Sequence, residues 1–289
     1  MQRCVIPLGI FIVLVVLFTS CSHSSGKNKR YSEKPIENTI TIIGEPDTKE
    51  NEPLMITNSQ DSSFIICKPA PQSLIPEQLI EKTAYIVSYN KNTKIPNWVA
   101  WHLTAEHTEG PIRRMSNFYE EEGVPRPRAT LEDYRGSGWT RGHMCPAGDN
   151  KWDETAMYES FSLVNVCPQN ASLNSGLWNS IEIDCRKWAK KYGGIFIVCG
   201  PILLNKEHET IGANKVVVPE AFFKVILRLN PQPAAIGFII RNNEGKKKRD
   251  QYINTVDDVE RITGIDFFPA LPDDIENEVE AYSDIDDWR

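Results

Sequence analysis

Residues 139–152 read W-T-R-G-H-M-C-P-A-G-D-N-K-W, and residues 163–188 read L-V-N-V-C-P-Q-N-A-S-L-N-S-G-L-W-N-S-I-E-I-D-C-R-K-W. Within them sit His143, Arg141 two residues earlier, Asn165 and Asn174 after apolar runs, and Glu182. Neutral histidine is the commonest side-chain base near neutral pH. Amide and carboxylate oxygens are hard ligands that suit Mg²⁺ or Ca²⁺, and the planar fork of arginine matches phosphate oxygens. A base, hard-metal ligands and an anion clamp form a kit for phosphodiester hydrolysis. Each residue alone has a plainer reading. R-G-H is too short to carry a function, and an asparagine before a helix is usually a cap or turn residue. The joint spacing carries the reading.

Three blocks recur as a set: R-G-H-M-x-P-A from Arg141 to Ala147, N-x-x-P-Q from Asn165 to Gln169, and L-N-x-G-x-W-N-x-x-E from Leu173 to Glu182. This set resembles the DNA/RNA non-specific endonucleases, enzymes with a ββα-metal (His-Me finger) active site, and the resemblance spans roughly residues 83–272. It implies Mg²⁺-dependent, sugar-non-specific cleavage of DNA and RNA, with Mn²⁺ or Ca²⁺ able to substitute. His143 is then the general base that activates water. Asn174 is the one direct protein ligand of the metal, and Glu182 acts on the ion through a water. Asn165 orients His143 or its loop, and Arg141 and Arg114 clamp phosphate. Arg114 is chosen because R-x-x-x-F, Arg114 to Phe118, resembles the family's upstream block; Arg113 is close behind. The family usually has Asp-Arg-Gly-His, whereas Thr140 precedes Arg141 here. A threonine hydroxyl still hydrogen-bonds. The substitution leaves room for an alternative, an inactive envelope lipoprotein that binds nucleic acid or another polyanion. A purely structural envelope lipoprotein is a third class.

The first residues carry Arg3 and then the apolar run 5–18, which ends F-T-S-C at Cys21. The run is shorter than the ~20 residues a spanning helix needs. It fits a signal peptide, residues 1–21, with small residues before Cys21 as in bacterial lipoproteins. The expectation is an exported protein, anchored to the membrane by lipid at Cys21 and facing the periplasm or the cell surface. Residues 22–78 are polar and hold no lasting period, so they read as a tether, with brief apolar patches at 39–43 and 64–67 that would dock as short strands. Residues 79–272 read as the catalytic domain and 273–289 as an acidic tail. A homodimer is left open.

Within the domain, 84–90 and 97–104 are rich in aromatic and β-branched residues and read as a hairpin. Residues 153–160 read as a short helix capped by Asp153, and 172–192 as a continuous helix with Leu177, Ile181, Cys185, Trp188 and Tyr192 on one face. Strands follow at 195–199, 216–218, 222–229 and 235–241, then a helix over 255–263 ended by Gly264. Strands and helices do not alternate regularly. The expected fold is α+β, with a largely antiparallel mixed sheet flanked by helices.

The net charge of −7 argues against a nucleic-acid enzyme until it is located. Residues 273–289 hold eight acids and one base, so the rest of the chain is neutral overall. Arg113, Arg114, Arg126, Arg128, Arg135, Arg141 and Lys151 then supply a basic cleft around His143. Of seven cysteines, Cys4 leaves with the signal and Cys21 takes lipid. Cys67, Cys145, Cys167, Cys185 and Cys199 remain, an odd number in which one thiol stays free unless chains pair. If the resemblance brings His143 and Asn165 together, Cys145 and Cys167 become a candidate bridge; buried thiols or a bridge to Cys185 are the alternatives. A zinc site of Cys145, Cys167, Cys185 and His143 lacks any C-x-x-C pair.

Overall fold

The structure, a computed structural model, describes residues 60–243 and 246–289. Its helices are α1 (Gln60–Cys67), α2 (Leu131–Tyr134), α3 (Glu154–Ser160), α4 (Ala171–Leu173), α5 (Asn179–Tyr192), α6 (Val256–Thr263) and α7 (Asp273–Ala281). Its strands are β1 (Gln78–Glu81), β2 (Ile86–Asn90), β3 (Ile95–Thr104), β4 (Thr140–His143), β5 (Val166–Gln169), β6 (Gly194–Ile202), β7 (Thr210–Ile211), β8 (Val216–Val217), β9 (Ala221–Arg228), β10 (Ala234–Arg241) and β11 (Ile253–Asn254). Seven strands form one sheet in the order β1-β2-β3-β6-β9-β10-β11, and every neighbouring pair is antiparallel. The expected α+β class with a largely antiparallel sheet holds.

The sheet is covered on both faces, so its central strands are buried throughout rather than alternating with water. Period-2 geometry divides them between two cores. On β3, Val99, Trp101 and Leu103 join one core, with Met144, Val166, Leu173 and Trp178. Trp98 and Ala100 join the other, with Cys67, Val256, Val259 and Val279 from α1, α6 and α7. The ββα elements therefore lie on one face, with Ile285 and Trp288 of the last turn, and α1, α6 and α7 lie on the other.

The hairpin β2–β3, α3 with its Asp153 cap accepting from Ala156 N, and α6 with Thr255 accepting from Asp258 N match the sequence reading. Three expectations are corrected. The tether does not run to residue 78: residues 60–67 form helix α1 rather than a short strand, and Cys67 is buried. The acidic segment 273–289 is not a solvated tail. It forms α7 and a final 3₁₀ turn, and Val279, Ile285 and Trp288 enter the cores. The expected helix over 172–192 is interrupted at Asn174–Trp178 by a π-helical segment with Gly176 at φ −102°, ψ −106°, so only Asn179–Tyr192 is regular α-helix. The expected signal peptide, lipid site at Cys21 and patch at 39–43 lie outside the described residues. Among the described residues no helix is long and apolar enough to cross a membrane.

Candidate active site

β4 and β5 pair antiparallel, with Thr140 opposite Gln169, Gly142 opposite Cys167 and His143 opposite Val166. A Cβ on residue 142 would lie 2.2 Å from Gln169 Oε1, so the strands approach this closely only over glycine. Asn165 fixes the turn that leaves β4. Its Oδ1 accepts from Cys145 N at 2.9 Å, and its Nδ2 donates to Cys145 O at 2.8 Å and Ser160 O at 2.9 Å. These three bonds tie the loop after β4 to the segment before β5. Trp178 Nε1 donates to His143 O at 3.2 Å and ties the helical segment to the strand.

An open-cleft histidine is the natural expectation for a base that meets a large substrate; His143 is instead only 7% exposed. Its ring packs 4.9 Å from Phe118 and edge-on 5.0 Å from Phe161. The two phenyl rings also carry the two expected clamps: Arg141 lies over Phe118 at 4.6 Å and Arg114 over Phe161 at 5.4 Å, within cation–π range. Burial, then the charges of Arg114 and Arg141, lower the His143 pKa to about 3. The imidazole is neutral at pH 7, and its buried Nε2 has no hydrogen-bond partner. An unpartnered buried ring nitrogen costs free energy unless something meets it in use.

Asn170 caps the helical segment by accepting from Ser172 N at 2.9 Å and Leu173 N at 3.3 Å. Asn174 follows, and its Nδ2 donates to Thr140 Oγ1 at 3.0 Å while Thr140 donates to Gln169 O at 2.7 Å. The hydroxyl that replaces the family's usual aspartate is thus both donor and acceptor. It engages the amide nitrogen of Asn174, so the amide oxygen is the group left for a cation. This donor chemistry fits a hard divalent ion.

Glu182 lies on α5, beyond the interruption, so its relation to Asn174 is not that of two turns along one straight helix. Burial raises its pKa to about 7, against Lys224; Asp149 raises it further, while Arg186 and Arg114 oppose. Three members of this charged group were missed from sequence. Lys224 projects from β9, fully buried, with Nζ 4.4 Å from the Trp178 ring and 5.0 Å from the Trp101 ring. Trp101 Nε1 donates to Asp149 Oδ2 at 3.2 Å, and Arg186 Nη1 donates to Asp149 Oδ1 at 2.8 Å. Burial alone would lower the Lys224 pKa, but Cys199, Cys185, Glu182 and Asp149 raise it on balance, so it stays charged. The available signals were a lone lysine in an apolar strand and an arginine one turn after Glu182.

The basic cleft is smaller than expected. Arg128 is buried and paired with Glu120, and Arg135 pairs with Glu132. Arg113, Arg114, Arg126 and Arg141 make no ion pair among the described residues, and Arg113, Arg114 and Arg141 are exposed. A cavity of about 370 Å³ opens beside Thr140 and Arg141, lined also by Tyr134 and Trp139. A larger one of about 930 Å³ has Glu120, Glu121, Glu122, Glu132 and Glu159 in its walls beside Lys82, Arg126 and Arg128, so its lining is acidic on balance. The candidate Cys145–Cys167 bridge is absent: Cys145, Cys167, Cys185 and Cys199 are buried free thiols. Cys145 Sγ accepts from Asn150 Nδ2 at 3.5 Å, and Cys199 Sγ donates to Met144 O at 3.4 Å. All four thiols lie in the core that carries the ββα elements, and the candidate zinc set does not appear among the described residues' clustered ligands.

The family described as DNA/RNA non-specific endonuclease matches residues 65–274. "Nuclease EXOG, mitochondrial" of Xenopus laevis is 37% identical over 222 residues, 71% of this chain and 62% of that protein. "Endonuclease G, mitochondrial" of Bos taurus is 31% identical over 209 residues, 67% of this chain and 70% of that protein. Among solved structures, a chain from "Crystal structure of the EndoG/EndoGI complex: Mechanism of EndoG inhibition" aligns with a TM-score of 0.64 at 29% identity, covering 68% of this chain and 88% of that one. The match thus spans less than two thirds of the EXOG relative's length. With the ββα site, the two-faced antiparallel sheet and a family match over most of its length, this chain belongs to the DNA/RNA non-specific endonuclease family.

Proposed function

We propose that the protein is a metal-dependent endonuclease that hydrolyses phosphodiester bonds in both DNA and RNA with little sequence preference. The observation that carries this reading is His143: a neutral base with an unpartnered Nε2, flanked through Phe118 and Phe161 by two guanidiniums. Arg114 and Arg141 take up phosphate charge, and His143 Nε2 accepts the proton of the attacking water. An anion bound to the two arginines also offsets the charges that weaken the imidazole as a base, so substrate binding raises its basicity. Asn174, with Glu182 behind it, would hold Mg²⁺, which supplies Lewis-acid stabilisation of the leaving oxygen. Contacts to phosphate and sugar do not read bases, and no base-reading module stands out in the sequence. A catalytically dead polyanion binder is disfavoured because His143 and Asn174 are both present and Thr140 holds Asn174 in place.

Purified protein should nick plasmid and degrade RNA in Mg²⁺ and stop in EDTA. Asn174→Ala should shift the Mg²⁺ titration to higher concentration, with partial recovery at high Mg²⁺. Full activity in EDTA would sink the metal reading, and an unchanged titration would remove Asn174 as the ligand.

Export with lipid attachment at Cys21 completes the proposal. Cys21→Ala should move the protein from the membrane to the soluble fraction or block its processing. A processed variant that stays in the membrane fraction contradicts it. The mitochondrial location in the relatives' names belongs to those proteins.

A further inference from the structure

On the sheet face opposite His143, α6 and α7 bring together carboxylates with no counter-charge. One carboxylate oxygen from each of Asp257, Glu260 and Glu280 lies within 4.8 Å of the other two. Among the described residues, none of the three forms an ion pair; the one pair made by α6 joins Arg261 to Asp258. Glu280 is 6% exposed and its buried Oε1 has no partner, although the carboxylate is turned into this cluster. Glu276, one turn earlier on α7, also has a buried oxygen without a partner. Glu260 is held in place, because an oxygen of its carboxylate accepts from Phe267 N at 2.7 Å.

An ionised carboxylate is not left buried among like charges unless a proton or a cation neutralises it. We propose that Asp257, Glu260 and Glu280 form a binding site for a divalent cation of the Ca²⁺ class, which clasps α7 to α6 and is separate from the proposed catalytic metal. Oxygen-only ligands at flexible spacing suit Ca²⁺, which takes several carboxylates and completes its shell with water. Asp257 is exposed, so water reaches the site from outside, and Glu280 closes it from within. Burial and then Glu260, Glu276, Asp257 and Asp266 push the Glu280 carboxyl up to about 9. At that value the carboxyl keeps its proton at pH 7 until a cation displaces it.

The rival occupant is a retained proton on Glu280, and glutamine mimics that form. The test uses the whole protein, stripped with EDTA, and follows thermal unfolding and calorimetric binding during Ca²⁺ titration. Asn174→Ala, which removes the proposed catalytic ligand, should still gain stability from Ca²⁺. At a Ca²⁺ concentration 100 times Kd, its unfolding constant should fall about 100-fold. Adding Glu280→Gln to that background should raise the stability without Ca²⁺ and abolish the response. Adding the surface substitution Asp257→Asn should weaken the response with little effect on the fold. The proposal is overturned if Asn174→Ala shows no Ca²⁺ response, or if the response survives either carboxylate substitution. None of these readouts depends on nuclease activity.

Discussion

Replacing His143 with alanine is expected to lower the rate of plasmid cleavage by about 10²–10⁴-fold, the usual contribution of a positioned general base. The ring is packed against Phe118 and Phe161, so its removal also leaves a void and costs about 2 kcal/mol, toward the low end for large-to-small core changes. Activity must therefore be compared below the variant's unfolding transition. The pH dependence of stability separates the two effects. The folded-state pKa of about 3 lies below the ordinary 6.5, so neutral His143 contributes stability above pH 6.5 that is lost as pH falls toward 3. The alanine variant should lose that part of the acid slope. His102, lowered to about 4 by burial and then by His107, should keep its share. A folded variant that cuts at the native rate would place the base elsewhere.

Lys224→Ala should be among the most destabilising single substitutions, by about 3–5 kcal/mol, because it removes one side of a buried charge balance. The ammonium has no hydrogen-bond partner. It is held by the faces of Trp101 and Trp178 and by the nearby acids Asp149 and Glu182. Desolvated cation–π contacts are worth ~2 kcal/mol. Lys224→Met keeps the length of the side chain and removes only the charge. Urea midpoints should place Met between alanine and wild type. A methionine variant as stable as the wild type would show that the two indoles need only volume there.

The parts of the fold that could be read from sequence are those whose signals are local. The β2–β3 hairpin has its β-branched and aromatic run. α6 has Thr255 at one end and Gly264, at φ +68°, at the other. β9 and β10 have apolar runs long enough to cross a buried sheet. The motif blocks placed His143, Asn165, Asn174 and Glu182 on the ββα elements. The site's electrical character was not legible, because it comes from other segments: Phe118 and Phe161 bury His143, and Lys224 arrives from β9. α7 was hidden by its composition. Its acids masked Ile275 and Val279 four residues apart, and Ile285 and Trp288 three apart, which are the apolar spacings of helical turns. The break at Gly176 was hidden differently, since the flanking residues keep an apolar face on either side of it.

Trp288 packs 4.9 Å from Trp188 on α5 and edge-on 6.0 Å from Tyr192, with Arg228 over its ring at 5.7 Å. α5 is also the helix that presents Glu182 and Arg186. The aromatic side of this helix, Trp188 and Tyr192, is therefore covered from the last 3₁₀ turn of the described residues. The helix behind the reactive histidine thus leans on a distant buttress, an indole from a segment that belongs to none of the ββα elements.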